Sequence, residues 1–284
     1  MPTLPPTGFE IRPLSTQAEL RACVDLQRAT WGEAFSDTVP ESILKVSQRV
    51  GGVSAGAFAT DGRLLGFVFG LTGVERGRIV HWSDMLAVVP DARNLGLGRL
   101  LKEYQRNAVR DLGGELIYWT YDPLVARNAH LNFNRLGARV AEYAENMYGI
   151  TDSVLHGAIP TDRLVVAWST SDAELDARRN EVEKTLASED CREGPIVDMN
   201  WIESAAGAAI LPHCVRIEVP SNAEDLMVSN ADEAFDWRMR VRQAFRWCLG
   251  AGYSVCAVDI TEDALSAYYL MTRAMRASSP GMRP

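Results

Sequence analysis

The chain has 284 residues, 47% of them hydrophobic and 23% charged, with a net charge of −8. That is the balance of a globular protein with one large or two modest domains. No apolar run reaches the length of a membrane-spanning helix, and no basic stripe points to nucleic acid.

Residues 1–10 carry neither a basic patch nor an apolar core, so they do not read as a secretory signal. The five cysteines, Cys23, Cys191, Cys214, Cys248 and Cys256, are odd in number and include no CxxC pair. The four histidines, His81, His130, His156 and His213, are scattered. This argues against a disulfide framework and against a metal site, and for a cytoplasmic protein.

Residues 9–15 alternate apolar and polar and read as a strand. Residues 15–32 read as a helix, with Thr16 and Glu19 as a capping box and Gly32 as its end. Residues 39–52 read as a second, shorter helix. Residues 52–60 and 63–73 flank the Asp61-Gly62 turn and read as a hairpin, followed by a strand over 78–90. From Gly98 to Leu112, the residues Leu100, Leu101, Tyr104, Ala108, Val109 and Leu112 recur at helical spacing, and Gly113-Gly114 stops the helix.

Residues 115–121 are almost continuously apolar, the mark of a strand buried on both faces. A strand, a helix and a strand of these lengths form a βαβ unit, so part of the sheet is expected to be parallel. Residues 127–137 read as a short helix closed by Gly137, and 138–149 and 163–170 as strands that complete the sheet.

Composition shifts near residue 170. Residues 171–194 are charged and read as a solvated helix. Beyond them come a strand at 214–220, an amphipathic helix at 231–253 with Phe235, Met239, Phe245, Cys248 and Leu249 near one face, and a strand at 254–260. Residues 276–284 look frayed. No repeat stands out, although the last helix–glycine–strand order echoes residues 98–121. Two domains are expected, 1–170 and 171–284.

Gly96 and Gly98 sit at a strand-to-helix turn, where backbone N–H groups and the helix dipole converge on an anion. A Walker A loop requires Lys and then Ser or Thr after its last glycine, and these are absent. A dinucleotide fingerprint requires a third glycine, where Leu101 stands.

Residues 86–98 instead resemble the acyl-CoA loop of the GNAT acyltransferase superfamily, L-x-V-x-P-x-x-R-x-x-G-x-G. Leu86, Val88, Pro90, Arg93, Gly96 and Gly98 match in register, and the order of elements over residues 9–170 agrees. Residues 120–140 and 159–168 look like a bacterial branch of long GNATs with an extra C-terminal region.

The resemblance implies an α/β fold, the mixed GNAT sheet whose fourth and fifth strands splay around a pantetheine arm. A smaller C-terminal α/β region, partly GNAT-like or accessory, follows it. The cosubstrate implied is acetyl-CoA, with no metal. Its pyrophosphate would lie on the backbone of Arg93, Asn94, Leu95, Gly96, Leu97 and Gly98, beside Arg99. The backbone of Leu86, Ala87 and Val88 would face the pantetheine and the thioester carbonyl. The activity implied is acetyl transfer to a small amine. The other reading is a domain that binds acyl-CoA without turnover. Residues 171–284 are a candidate for a lid or for a homodimer contact.

Acyl transfer from a thioester requires that the amine lose a proton, that the carbonyl oxygen find a donor, and that the thiolate leave. Asp84, two residues before Leu86, is the closest match to the acid that relatives place near the end of the fourth strand. His81 is its rival, with an unperturbed pKa closer to neutrality, although a packed histidine is the commoner case. Strand alternation sets the two on opposite faces unless a bulge intervenes.

Many relatives carry a tyrosine four residues before the glycine that closes the fourth helix. Here that position is Phe133, which cannot donate a proton. Asn128 and Asn132 are candidates to donate to the sulfur or to the pantetheine amides, and Tyr143 and Tyr148 are candidates to reach the site. Trp31 and Trp82 are candidates for an acceptor pocket, whereas Trp119 reads as core. The loop at 29–40, with Glu33 and Asp37, is the expected selector of the acceptor.

Overall fold

The computed structural model describes residues 8–33, 35–149, 159–208, 210–261 and 266–273. Its larger sheet has seven strands in the order β1-β2-β3-β4-β5-β7-β6. β1 (Phe9–Pro13), β2 (Val53–Ala59), β3 (Leu64–Glu75) and β4 (Arg78–Val88) pair antiparallel in sequence order. β5 (Leu116–Tyr121) runs parallel to β4. β7 (Arg163–Ser169) lies antiparallel between β5 and β6 (Arg139–Ala144).

Two helical layers cover this sheet. α1 (Gln17–Trp31) and α2 (Glu41–Arg49) bring Leu20, Cys23 and Leu44 into one cluster with Phe67, Phe69 and Met85. α3 (Leu97–Asp111) brings Leu97, Leu101 and Val109 into another with Leu65, Val68 and Ile117. Local signals set the ends of α1. Thr16 and Glu19 form the reciprocal capping box, and Gly32 leaves the helix at φ +105°.

α4 (Ala126–His130) runs on into a π-helical turn at Leu131–Arg135. β5 alternates half-buried and buried residues, so it is not covered equally on both faces as its apolar run suggests.

α5 (Asp172–Ala187) leads out of the larger sheet. It is not the solvated helix that its charge suggests: Leu175, Arg178, Val182 and Thr185 are buried, and Arg178 donates to the Val255 carbonyl at 2.9 Å. Two short helices follow, α6 (Glu189–Arg192) and α7 (Met199–Ala205). Next come β8 (Cys214–Pro220), α8 (Ala223–Ser229), α9 (Ala231–Gly250), β9 (Tyr253–Ile260) and β10 (Ser266–Arg273).

The smaller sheet has the order β8-β10-β9, with β10 antiparallel to both neighbours. β10 has no counterpart in the sequence reading. The frayed tail expected at 276–284 lies outside the described residues. Cys191 and Cys214 are joined in a disulfide, against the expectation from the odd cysteine count. Those two residues are 23 apart in sequence, and only the fold brings their Cα atoms to 5.0 Å.

The smaller sheet repeats a winding present in the larger one. β5-α4-β6-β7 and β8-α9-β9-β10 are both strand, helix, strand, strand, with the last strand inserted between the first two. The sequence echo of residues 98–121 therefore belongs structurally to the stretch that begins with β5.

The buried face of α9 is Ala234, Arg238, Val241, Ala244, Phe245 and Cys248, and Phe235 is exposed. Arg238 can occupy that face because Asp122, just beyond β5, accepts it at 2.8 and 2.5 Å. Arg242 meets Asp162 in the same way, at 2.8 and 2.5 Å. The apolar core is continuous across the two sheets through Phe133, Phe245 and Tyr269.

Candidate active site

β4 and β5 pair only from Val80↔Leu116 to Trp82↔Tyr118. Beyond that point they part, and a cavity of about 400 Å³ fills the fork. Ser83, Asp84, Met85 and Leu86 line one side, and Trp119, Thr120, Tyr121 and Asp122 the other. Lys102 of α3, Asn128 and Asn132 of the α4 segment, the 31–37 loop, and Glu224 and Met227 of α8 complete the walls.

The fork starts at a β-bulge. Phe69 pairs with Met85 and Gly70 with Ser83, so Asp84 is left over. The bulge turns Asp84 into the cavity while His81 stays inside the protein. Asp84 is exposed at the cavity mouth. Partial enclosure by the cavity walls, with the Asp37 carboxylate opposite, raises its carboxyl above the usual range.

His81 is fully buried and lies outside the cavity lining. Its ring nitrogens meet Thr72 Oγ1 at 2.9 Å and Gln105 Nε2 at 3.0 Å. Burial, with the charge of Lys102 nearby, pushes its pKa down to about 4, so it is a neutral packed histidine.

The proposed phosphate loop follows β4. Arg93 Nε donates to the Val88 carbonyl at 3.1 Å and ties the loop to the strand end. Asn94 and Gly96 have left-handed φ values of +62° and +78°. Gly96 is the N-cap of α3 and supplies no side-chain cap. Among the described residues no protein group accepts from the backbone N–H groups of residues 94–99. Exposed amides and the positive end of a helix dipole attract anions. The loop adjoins the cavity: a Cβ added at Gly98 would stand 3.6 Å from Leu86 Cδ2.

The other sequence candidates divide. Asn128 and Asn132 face the cavity, and Asn132 accepts the indole N–H of Trp119 at 3.2 Å. Tyr143 does not reach it: its hydroxyl donates to Asp162 at 2.7 Å, its ring stacks on Phe245, and burial first, then the Asp162 charge, raise its pKa. Tyr148 lines the cavity and bonds Thr120 at 3.0 Å. Phe133 is fully buried, packed edge-on against Tyr121 and Tyr269, and is absent from the lining. Ala87 is buried in the strand, paired with Phe67, whereas Leu86 lines the cavity. Arg99 pairs with Glu103 at 2.8 Å.

Trp31 lines the cavity beside Phe35, and Trp82 does not. Trp119, read as core, is both buried and part of the cavity wall. Asp37 is in the lining and Glu33 is not.

Sequence reasoning missed Lys102 and Arg163. α3 buries a face rotated from the one its leucines suggest. Leu100 and Leu112 are exposed at 37% and 44%, while Lys102, Gln105 and Arg106 are buried. No sequence signal marks that rotation, because the polar partners of these residues lie on β4 and β7.

Among the described residues no cluster of His, Cys, Asp and Glu is placed to hold a metal, and no helix is long and apolar enough to cross a membrane. No family model matches the chain, and no curated protein matches it.

Among solved structures the chain is similar to the ribosomal-protein-S18-alanine N-acetyltransferase from Escherichia coli. The two share 22% identity over 58% of this chain and 95% of that one, with a TM-score of 0.44. It is similar to an aminoglycoside 6′-N-acetyltransferase complexed with coenzyme A, at 16% identity over 57% of this chain and 97% of that one, TM-score 0.43. An aminoglycoside 6′-acetyltransferase type Ii matches at 18% identity over 58% of this chain and 98% of that one, TM-score 0.45.

The strand order, the fork between β4 and β5 and the loop that caps α3 agree with the mixed-sheet fold expected from the sequence. In this chain that fold is extended by a C-terminal α/β unit built on β8, β9 and β10.

Proposed function

We propose that the chain is an acyl-CoA-dependent N-acyltransferase that moves acetyl from acetyl-CoA to a small amine by direct attack on the thioester. The observation that carries this reading is the fork: a cavity between two parallel strands whose ladder stops at Trp82 and Tyr118, adjoining a loop of unpartnered amides.

The unpaired edge of β4 from Asp84 to Val88 offers backbone groups in the direction that a β5 partner would have taken. A pantetheine arm, with its two amides, satisfies such an edge as a strand would. The amides of residues 94–99 then hold the pyrophosphate. A backbone N–H near Val88 donates to the carbonyl oxygen as charge builds on it.

Asp84 takes the proton of the attacking amine. Its raised carboxyl and its place at the mouth suit that task, because a base works best when its pKa lies near the working pH. Asp37 and the Trp31–Phe35 pair favour a cationic acceptor with some apolar surface. The binding-only reading rests on an unassigned base and on Phe133. That residue packs outside the cavity, so its missing hydroxyl does not argue against turnover.

Calorimetry with acetyl-CoA on the full chain, followed by release of the coenzyme A thiol with a panel of amines, tests the proposal. Absence of binding overturns it. Asp84→Asn should bind acetyl-CoA as the parent does and lose ~10²–10⁴ in turnover.

A further inference from the structure

The other polar residues on the buried face of α3 are neutral or paired with a charge, although Gln105 Oε1 has no partner. Gln105 bonds His81, and Arg106 bonds the Ser169 and Thr170 carbonyls and Asp172. Lys102 differs. It is 6% exposed, and it has one hydrogen-bond acceptor, Ser83 Oγ at 2.6 Å. Its Nζ lies 3.9 Å from the centroid of the Trp119 ring. No carboxylate among the described residues lies within ion-pair distance of it, and an ammonium has three donors to place.

Its position is the apex of the fork. Ser83 follows the last paired residue of β4, and Trp119 follows the last paired residue of β5. All three side chains line the cavity. A desolvated cation without a counter-charge destabilises a fold, and an apolar side chain would be more stable there. Burial pushes the Lys102 ammonium down to about 7. What such a group suits is an anion that is present only during part of the cycle.

We propose that Lys102 is the leaving-group residue of this site, its ammonium facing the thioester sulfur and neutralising the charge that the sulfur acquires as the carbon–sulfur bond breaks. The inference rests on the acyl-CoA reading of the cavity. In the step, the amine nitrogen bonds to the carbonyl carbon and its proton passes to Asp84. The carbon–sulfur bond breaks with its electron pair going to sulfur. The thiolate then stays as an ion pair with Lys102 or takes one of its protons. Trp119 keeps the ammonium aimed, because its indole is fixed by the bond to Asn132. The leaving group is thus served from α3 and not from the position of Phe133.

The test needs no acceptor. Coenzyme A is bound to the full chain, and its thiolate is followed by ultraviolet absorbance against pH, with S-methyl coenzyme A as the blank. The bound thiol is expected to ionise at least about one pH unit, a tenfold change in the equilibrium, below the ~8.5 of a free thiol. In Lys102→Met it is expected at ~8.5 or above, and in Lys102→Arg it stays low. A wild-type complex whose thiol ionises at ~8.5 or above overturns the inference without any variant. A Lys102→Met complex that titrates like the parent overturns it as well. Coenzyme A that fails to bind in calorimetry overturns the acyl-CoA reading, and the inference with it. Binding with an unshifted thiol overturns the inference alone.

Discussion

At the junction of the two sheets, Arg238 and Arg242 are held by Asp122 and Asp162 through paired bonds of 2.5–2.8 Å. At the fork, Lys102 is also buried, with a hydroxyl and an indole ring for company. The two regions share a winding, since β5-α4-β6-β7 and β8-α9-β9-β10 are built alike. They differ in what happens beside the first strand. β8 gains a short parallel bridge, Ile196↔Arg216, whereas β5 loses its neighbour after three residue pairs. A winding therefore does not make a site. The site comes from a ladder that stops, a loop that turns amides outward and a charge left without its counter-charge.

Four experiments test this contrast, from the largest expected effect to the smallest. Arg238→Met removes the compensating charge at the junction and leaves Asp122 with Arg163 at 3.7 Å. Breaking one half of a buried pair costs about 3–5 kcal/mol, read as a fall in the urea midpoint. The junction should also fail in acid. Burial raises the Asp122 carboxyl, but Arg238 and then Arg163 outweigh this and leave it lowered. Its contribution is therefore full above the unfolded carboxylate value of ~3.9 and is lost as pH falls through the depressed folded value. An acid transition unchanged in Arg238→Met would remove the junction from the argument.

Lys102→Met should act in the opposite direction. The folded pKa of Lys102, about 7, lies below the unfolded ~10.4. Its contribution is therefore present above ~10.4 and lost as pH falls toward 7. The parent should gain stability between pH ~7 and ~10, by up to about 4 kcal/mol, and the Met variant should already hold that gain at neutrality. Chemical denaturation at the two pH values decides it. A Met variant less stable than the parent at neutral pH would mean that the cation supports the fold.

His81 extends the contrast to the base of the fork. Its folded pKa of about 4 lies below the unfolded ~6.5, so its contribution is full above ~6.5 and is lost as pH falls toward 4. The loss amounts to about 3 kcal/mol at most, and it should flatten in His81→Asn. The smallest effect belongs to the loop. A Cβ at Gly96 meets nothing within 4 Å, so Gly96→Ala adds only the strain of φ +78°. That is about 1–2 kcal/mol, with a comparable weakening of coenzyme A binding by calorimetry.

Legibility in the sequence followed the range of the interactions. Leu86 to Gly98 could be read because loop, cap and helix start are contiguous and need particular residue types at fixed spacing. The capping box of α1 and the Asp61-Gly62 turn were legible for the same reason. Asp84 was named, but which way it faces depended on a bulge between β3 and β4, a property of two strands and not of one. The faces of α3 and α9 were misread because Lys102, Gln105, Arg106 and Arg238 look like surface residues until their partners arrive from elsewhere in the chain. Tyr143 is a candidate from its place on the strand after α4, and a contact with Asp162, 19 residues away, takes its hydroxyl out of the cavity.

By itself the sequence determined the loop, the caps, the turns and the alternating strands that make a mixed sheet, because these rest on backbone freedom and on periodicities of two and 3.6 residues. Tertiary structure alone decided where the β4–β5 ladder stops, which charges are compensated, and that Lys102 sits at the apex of the fork. Burial and electrostatics depend on what surrounds a group in space, and a linear sequence does not state its neighbours.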